Sequence, residues 1–502
     1  MDKQLVTMGW SRLFFAILFL AQFPAVQAAP KEQSCTLKEC GFIPSPDGSW
    51  RTCKPCPDGV AGVYEEANCD KTKRPVLLVH GTAGTSDNWS GLTSLLVANG
   101  YCREWIRPII WDGIGLFGSA QRPISEAANE LLSTPDVVAE GHSKIDISGH
   151  SRGGGQIKTW VNRNPEKVAH AAVIGSPGGR INGISCVNLL GEKDSIVGRG
   201  SISGCPTISL PNLGHLSVQS STQAATAIYR FFNQEDPVIT NHMLMATHPV
   251  VYQGFAVQFG HNYPMPGLVV DVYAIPHFSE KKRPEGHPLS PENRISIGSF
   301  YEGHGYDSGT GKAHVTIPQR YASSSYNLEF HMKWPGSNDQ IHSRHLYTTG
   351  MPHSDPSFSW LFRANQSDAN RASNSADRGA HVIYTVRSQL GDFNYRAGDR
   401  LKVNECSAQA RVLDDSNDVA GVFIFDHTGD QIGRGESISD YTRSFMIRGA
   451  DCYIAANDKN GPDQWVKVEA EQVLDSTFPE KRTLWIPNWR SDTAAGQLLW
   501  IR

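Results

Sequence analysis

Lys144-Ile145-Asp146-Ile147-Ser148-Gly149-His150-Ser151-Arg152-Gly153-Gly154-Gly155 is the stretch on which the reading of this chain turns. A strand-like run at 144–148 leads into Gly149-His150-Ser151-Arg152-Gly153, and a helix-like run at 154–162 leaves it. The pentapeptide alone is a weak signal; the strand before it and the helix after it give it weight. A serine between strand and helix sits in a strained turn, and glycines two places either side let neighbouring backbone pass close by. The hydroxyl then stands at the C-terminal edge of a sheet, with the helix N-terminus aimed at developing negative charge. Ser151 is the candidate nucleophile.

A serine hydroxyl is a poor nucleophile near neutral pH, so a base and an orienting acid should follow, in the order serine, acid, histidine. Residues 186–191 read as a short buried strand ending at Glu192-Lys193-Asp194, and Asp194 is the candidate acid, with Glu192 as an alternative. Residues 207–210 read as another strand, followed by Pro211-Asn212-Leu213-Gly214-His215. His215 is the candidate base; the chain has 18 histidines, and His242 and His248 lie near enough in sequence to compete. Upstream, an apolar run at 75–79 ends in His80-Gly81-Thr82-Ala83-Gly84, a small-residue loop suited to supplying a backbone amide. The backbone N–H groups of Thr82 and Arg152 are the candidate oxyanion hole, and His80 reads as a loop residue rather than a catalytic one. The Arg152 side chain is incidental to the hole, although a cation there could bias substrate choice.

Residues 79–84, 149–154, 190–194 and 213–215 together resemble the microbial lipases of the α/β-hydrolase superfamily, above all the small class 2 lipases, over residues 74–233. Residues 168–236 with the long β-rich part that follows are similar to an archaeal lipase bearing C-terminal lipid-binding β domains. The resemblance implies hydrolysis of a carboxylic ester through an acyl-enzyme, with no cofactor; no metal-ligating residues are assigned, and calcium dependence stays open. No helical lid insertion of the kind carried by large-lidded members is evident. An amidase or peptidase uses the same parts. A depolymerase for bacterial polyester suits an exported chain with appended β domains equally well, and a binding-only protein on a dead hydrolase is the competing class.

At 502 residues the chain is too long for one core. Lys3 and Arg12 precede the apolar run 13–20, and small residues at 26–29 offer a cleavage site, so residues 1–29 read as a signal peptide and the mature protein as secreted. Residues 30–73 form a Cys-, Pro- and Gly-bearing extension. Residues 74–236 carry the helix-strand alternation of a parallel sheet flanked by helices, with helices expected at 87–99 and 220–232. From about residue 249 the hydrophobic period changes to two, which predicts β-sandwich-like domains at 249–365 and 380–502, with a polar linker at 366–379.

Ten cysteines fit an oxidising compartment. Cys186 and Cys205 should stand at the starts of neighbouring strands, and Cys406 and Cys452 share the last domain, so those two bridges are expected. Pairing among Cys35, Cys40, Cys53, Cys56, Cys69 and Cys102 cannot be read off, and zinc at Cys53 and Cys56 is disfavoured by the exported context. A net charge of −4 from 46 basic and 50 acidic side chains gives no basic stripe for nucleic acid. No later segment approaches the length of a transmembrane anchor.

The substrate, a lipid or polyester, should meet the loop after the second strand. Trp111, Ile114, Leu116 and Phe117 are candidates for an acyl pocket or short flap, spread among Gly113, Gly115 and Gly118. Ile196, Val197 and Leu216 flank the acid and the base and could complete it. Trp334, Trp360 and Trp485 read as core or interface residues rather than an exposed binding face.

Overall fold

The computed structural model describes residues 69–115, 118–198 and 200–238, and before them the short strands Phe42–Pro44, Trp50–Thr52 and Gly62–Tyr64. Beyond 238 it describes most of the chain to residue 500, apart chiefly from 279–285, 336–340, 363–382, 387–398, 409–420, 439–446, 455–463, 473–479 and 489–496. The expected signal peptide and most of the Cys-rich extension lie outside the described residues, as does the expected linker.

Six strands form a parallel sheet: β1 (Val76–Val79), β2 (Ile106–Ile109), β3 (Ile145–His150), β4 (Val168–Ile174), β5 (Ser185–Gly191) and β6 (Thr207–Leu210). Their order is β6-β5-β4-β3-β1-β2. β1 and β3 are fully buried, the pattern expected of strands covered on both faces. The covering helices are α1 (Ser90–Ala98), α2 (Gln121–Ser133), α3 (Pro135–Ala139), α4 (Arg152–Val161), α5 (Ser217–Ser220) and α6 (Thr222–Asn233). From β1 the chain moves to β2 on one side and then to β3 on the other. That reversal is the topological switch at which open parallel sheets place their ligands, beyond the carboxyl ends of the strands. Ser151 and the loop starting at His80 leave the sheet there.

The helix expected at 87–99 begins instead with a 3-10 turn over Ser86–Trp89, and all nine residues of α1 are buried. It has no solvent face because a strand of the C-terminal part lies against it. Helix α2 escaped the sequence reading, although Ile124, Ala127, Ala128 and Leu131 keep a helical spacing and are its buried residues.

Among its described residues the C-terminal part is built of strands, with a short 3-10 turn at Gln319–Tyr321. Its strands include β7 (Val250–Gln258), β8 (Val269–Pro276), β9 (Ile295–Glu302), β10 (Lys312–Ile317), β11 (Tyr326–Pro335), β12 (Ile341–Thr349) and β13 (Asp355–Phe362). They continue with β14 (Ile383–Val386), β15 (Arg400–Val403), β16 (Gly421–Phe425), β17 (Ile447–Asp451), β18 (Trp465–Gln472), β19 (Glu480–Pro487) and β20 (Gln497–Trp500). Two apolar clusters serve this region, one built from residues between Val250 and Phe362 and one mainly from residues between Leu401 and Ile486. The backbone does not divide so cleanly. β20 pairs in parallel with β12 on one side and β14 on the other, so one hydrogen-bonded sheet runs across the expected linker position. A second sheet joins β15, β18 and β19. Trp360 is fully buried, Trp485 nearly so, and the half-buried Trp334 donates its Nε1–H to the Pro266 carbonyl at 2.9 Å.

Three disulfides are present among the described residues: Cys69–Cys102, Cys186–Cys205 and Cys406–Cys452. The second and third are the two expected pairs; the first ties the end of the N-terminal extension to the loop before β2.

Candidate active site

Ser151 has φ 53° and ψ −123°, a conformation that costs an ordinary residue energy and that the surrounding packing must impose. Its amide donates to the Ile174 carbonyl at 2.9 Å, fixing the turn against β4. Glycine is required on both sides of this turn. A Cβ on Gly153 would lie 2.3 Å from the His80 carbonyl oxygen, and one on Gly81 would lie 2.8 Å from the Ser151 Cβ. Backbone therefore crosses backbone at van der Waals limit, and the His80-Gly81-Thr82 loop is held directly against the serine.

His215 lies between Ser151 and Asp194. Its Nδ1 is 2.9 Å from Asp194 Oδ2 and its Nε2 is 2.9 Å from Ser151 Oγ. A carboxylate only accepts, so Nδ1 carries the proton, and Nε2 is left to accept from the serine hydroxyl. The other oxygen of Asp194 accepts the amides of Ile196 and Val197, each at 2.9 Å. Burial alone would push the Asp194 carboxyl up, but the hydrogen bond and charge of His215, with those two amides, hold it below its ordinary value. Glu192, the alternative acid, is exposed and bonds back through its amide to Leu210. His242 and His248 lie outside the described residues.

The sequence reading gave no role to His150. It is buried, its Nε2 lies 2.7 Å from the His215 carbonyl oxygen, and its ring sits 4.7 Å from the His215 ring. It donates to that oxygen and so fixes the backbone that carries the candidate base. His80 is likewise a strut. Its Nε2 accepts the Trp111 amide at 3.3 Å while its Nδ1 donates to the Gly81 carbonyl at 2.8 Å, and its ring stacks on Trp111.

The candidate substrate loop divides. Trp111 is buried, its Nε1–H donating to the His80 carbonyl at 3.1 Å, which makes it a brace between two loops more than a pocket wall. Ile114 is 42% exposed and Ile196 41%, so of the described candidates these two are open to solvent; Val197 is half-buried and Leu216 buried. Leu116 and Phe117 lie outside the described residues. The Arg152 side chain is engaged by backbone carbonyls. Its guanidinium donates to the carbonyls of Gly113 at 2.8 Å, Gly115 at 3.1 Å and Gly118 at 2.8 Å, so it ties down the glycine-rich loop.

Contacts from the β region reach this neighbourhood and carry no local sequence signal. Asn262, in the turn after β7, donates its side-chain NH2 to the carbonyls of Gly84 at 2.9 Å and Trp111 at 3.0 Å. His261 Nδ1 lies 3.2 Å from Asp112 Oδ1. Ser359 of β13 is within hydrogen-bond reach of Thr85 and Ser86.

No family model matches the chain. It is 31% identical over 113 residues to a triacylglycerol lipase of Pseudarthrobacter phenanthrenivorans, a match spanning 21% of this chain and 34% of that protein. A triacylglycerol lipase of Burkholderia plantarii matches at 31% over 113 residues, 21% of this chain and 30% of the relative. The chain thus spans about a third of the length of the curated relatives it matches. Among solved structures, the 2-hydroxy-6-oxo-6-phenylhexa-2,4-dienoate hydrolase of Rhodococcus sp. strain RHA1 is 13% identical, with TM-score 0.25, covering 33% of this chain and 92% of that one. Naproxen esterase from Bacillus subtilis is 16% identical, with TM-score 0.23, covering 33% of this chain and 85% of the other.

Proposed function

We propose that this lipase-like member of the α/β-hydrolase superfamily is a secreted serine carboxylic ester hydrolase working through an acyl-enzyme. The observation that carries the reading is the unbroken hydrogen-bonded chain Ser151–His215–Asp194, with the serine in a strained turn at the topological switch of a parallel sheet. Each link has one chemical task. His215 takes the Ser151 proton as the oxygen attacks the ester carbonyl, and Asp194 holds the imidazole in the tautomer that can accept it. The resulting oxyanion is met by the amides of Thr82, whose loop is packed against the serine, and of Arg152 at the start of α4. His215 then returns the proton to the departing alcohol, and water repeats the steps to free the acid.

A lipid ester is the substrate class best supported, because the relatives that match in sequence are both triacylglycerol lipases. The test is labelling of the full chain by a fluorophosphonate, together with hydrolysis of p-nitrophenyl esters from acetate to palmitate, emulsified triglyceride and polyester film. Labelling at Ser151, lost in Ser151→Ala, and a rate rising with acyl length are expected. Absence of labelling would leave a non-catalytic binding protein; turnover confined to the film would move the reading to a polyester depolymerase.

A further inference from the structure

The loop that should supply the first oxyanion amide, residues 80–87, is held at its far end by hydrogen bonds from the β region in addition to those of its own domain. Asn262 uses both hydrogens of its amide on Gly84 and Trp111 carbonyls, at 2.9 and 3.0 Å, and so ties the loop after β1 to the loop after β2. The residue is only 4% exposed and sits at φ 61°, a left-handed turn conformation that asparagine tolerates better than most residues and that aims its side chain inward. Ser359 secures the next three residues: its Oγ accepts the Asp87 amide at 3.1 Å and lies 2.7 Å from Ser86 Oγ and 3.0 Å from Thr85 Oγ1. All of these groups are buried, so each bond is made in low dielectric and its loss is not made good by water.

The same two parts also touch where no loop is involved. In the middle of α1, Thr93 Oγ1 lies 2.8 Å from Ser357 Oγ. That contact docks β13 on the helix without reaching residues 80–87. It separates two roles for the β region, holding the domain together and setting the loop.

We infer that Asn262 and Ser359, contributed by the β region, are positioning residues that hold residues 80–87 so that the Thr82 amide faces the oxygen developing at Ser151. The inference rests on the esterase reading above. On this account the β region completes the active site of the parallel-sheet domain, in addition to anything it does with substrate. The cause is rigidity: an amide stabilises an oxyanion only if it is aimed before the charge appears, and a loop released at its C-terminal end must be ordered again in every turnover.

The test uses the full chain with Asn262→Ala, Ser359→Ala and, as the docking control, Thr93→Val. Readouts are kcat and KM on a p-nitrophenyl ester, the affinity for an alkylboronic acid that forms a tetrahedral adduct at the serine, and the thermal midpoint. Asn262→Ala should lower kcat about ten- to a hundredfold with KM within about twofold, and weaken the boronic acid in proportion. Ser359→Ala should act in the same direction, more mildly. Thr93→Val should lower the midpoint and leave kcat and boronate affinity unchanged. Wild-type kcat and boronate affinity in both alanine variants would overturn the inference, as would equal losses in Thr93→Val, which would reduce the contacts to docking alone. Failure of the wild-type chain to take a phosphonate at Ser151 would be a separate result, defeating the esterase reading and the inference with it.

Discussion

The guanidinium of Arg152 lies 5.0 Å from the centre of the Trp111 ring. From that position it reaches three carbonyls of the glycine-rich loop, so the residue next to the candidate nucleophile, whose amide is proposed to meet the oxyanion, also ties down that loop. A guanidinium spreads five donors over a rigid plane, whereas an ammonium offers three from a single point, so a lysine cannot reproduce the same spread of bonds.

Arg152→Lys should therefore loosen residues 113–118 without removing a backbone amide from the site. The expected result is a KM about three- to tenfold higher on long-chain esters, with a smaller change on acetate. Steady-state kinetics across an acyl-length series check it, and a uniform change at all lengths would refute it.

The three glycines after Ser151 are not equivalent. A Cβ on Gly155 meets nothing within 4 Å, and the residue lies inside α4, so Gly155→Ala should stabilise by about 0.5–1 kcal/mol. A Cβ on Gly153 would lie 2.3 Å from one carbonyl oxygen of the β1 end and 2.4 Å from another. Neither can move without displacing the sheet, so Gly153→Ala should cost about 1–3 kcal/mol or more and most of the activity. Urea unfolding followed by tryptophan fluorescence measures both.

Asp194 is held below its ordinary value in the folded chain despite its burial. A depressed carboxyl contributes stability that is fully present above the unfolded value of about 3.9 and is lost as pH falls through the lower folded value. Asp194→Asn should thus melt below wild type at neutral pH, with the gap closing as both are taken below about pH 4. A gap independent of pH would assign the loss to packing. Activity of the variant at neutral pH should fall by several orders of magnitude, because an amide favours the wrong histidine tautomer.

Far from the triad in the chain, Glu329 is fully buried between Arg294, which it binds through both oxygens at 2.8 and 2.9 Å, and His345 Nδ1 at 2.8 Å. Burial would raise this carboxyl, but His345 and Arg294 hold it below its ordinary value, while burial drives the neighbouring His331 down to about 2. Glu329→Gln removes the charge that Arg294 binds through two hydrogen bonds. It should cost about 3–5 kcal/mol of stability, read as a lower thermal midpoint, and leave kcat of the folded enzyme near wild type. An unchanged midpoint would show the network to be dispensable.

Much of the parallel-sheet domain was legible in the sequence because its rules are local. A strand, a serine flanked by glycines and a helix follow one another without a break, and the close backbone crossings at Gly81 and Gly153 restrict those positions to the smallest residue. The run from Asp194 to His215 kept its order for the same reason, each residue standing at the end of a short apolar strand. Strand β13, Asp355-Pro356-Ser357-Phe358-Ser359-Trp360-Leu361-Phe362, shows where that legibility stops. It escaped the sequence reading, and although serines alternate with aromatics along it, every residue is buried, because Ser357 and Ser359 lie on α1 and the loop before it. Alternation tells how many faces a strand has, and only the tertiary structure decides what covers each one. Asn262 and Ser359 meet residues 84–87 across more than 170 positions of chain. No local propensity couples residues so far apart, so their pairing with the loop beside Ser151 was decided by the packing of one domain against the other.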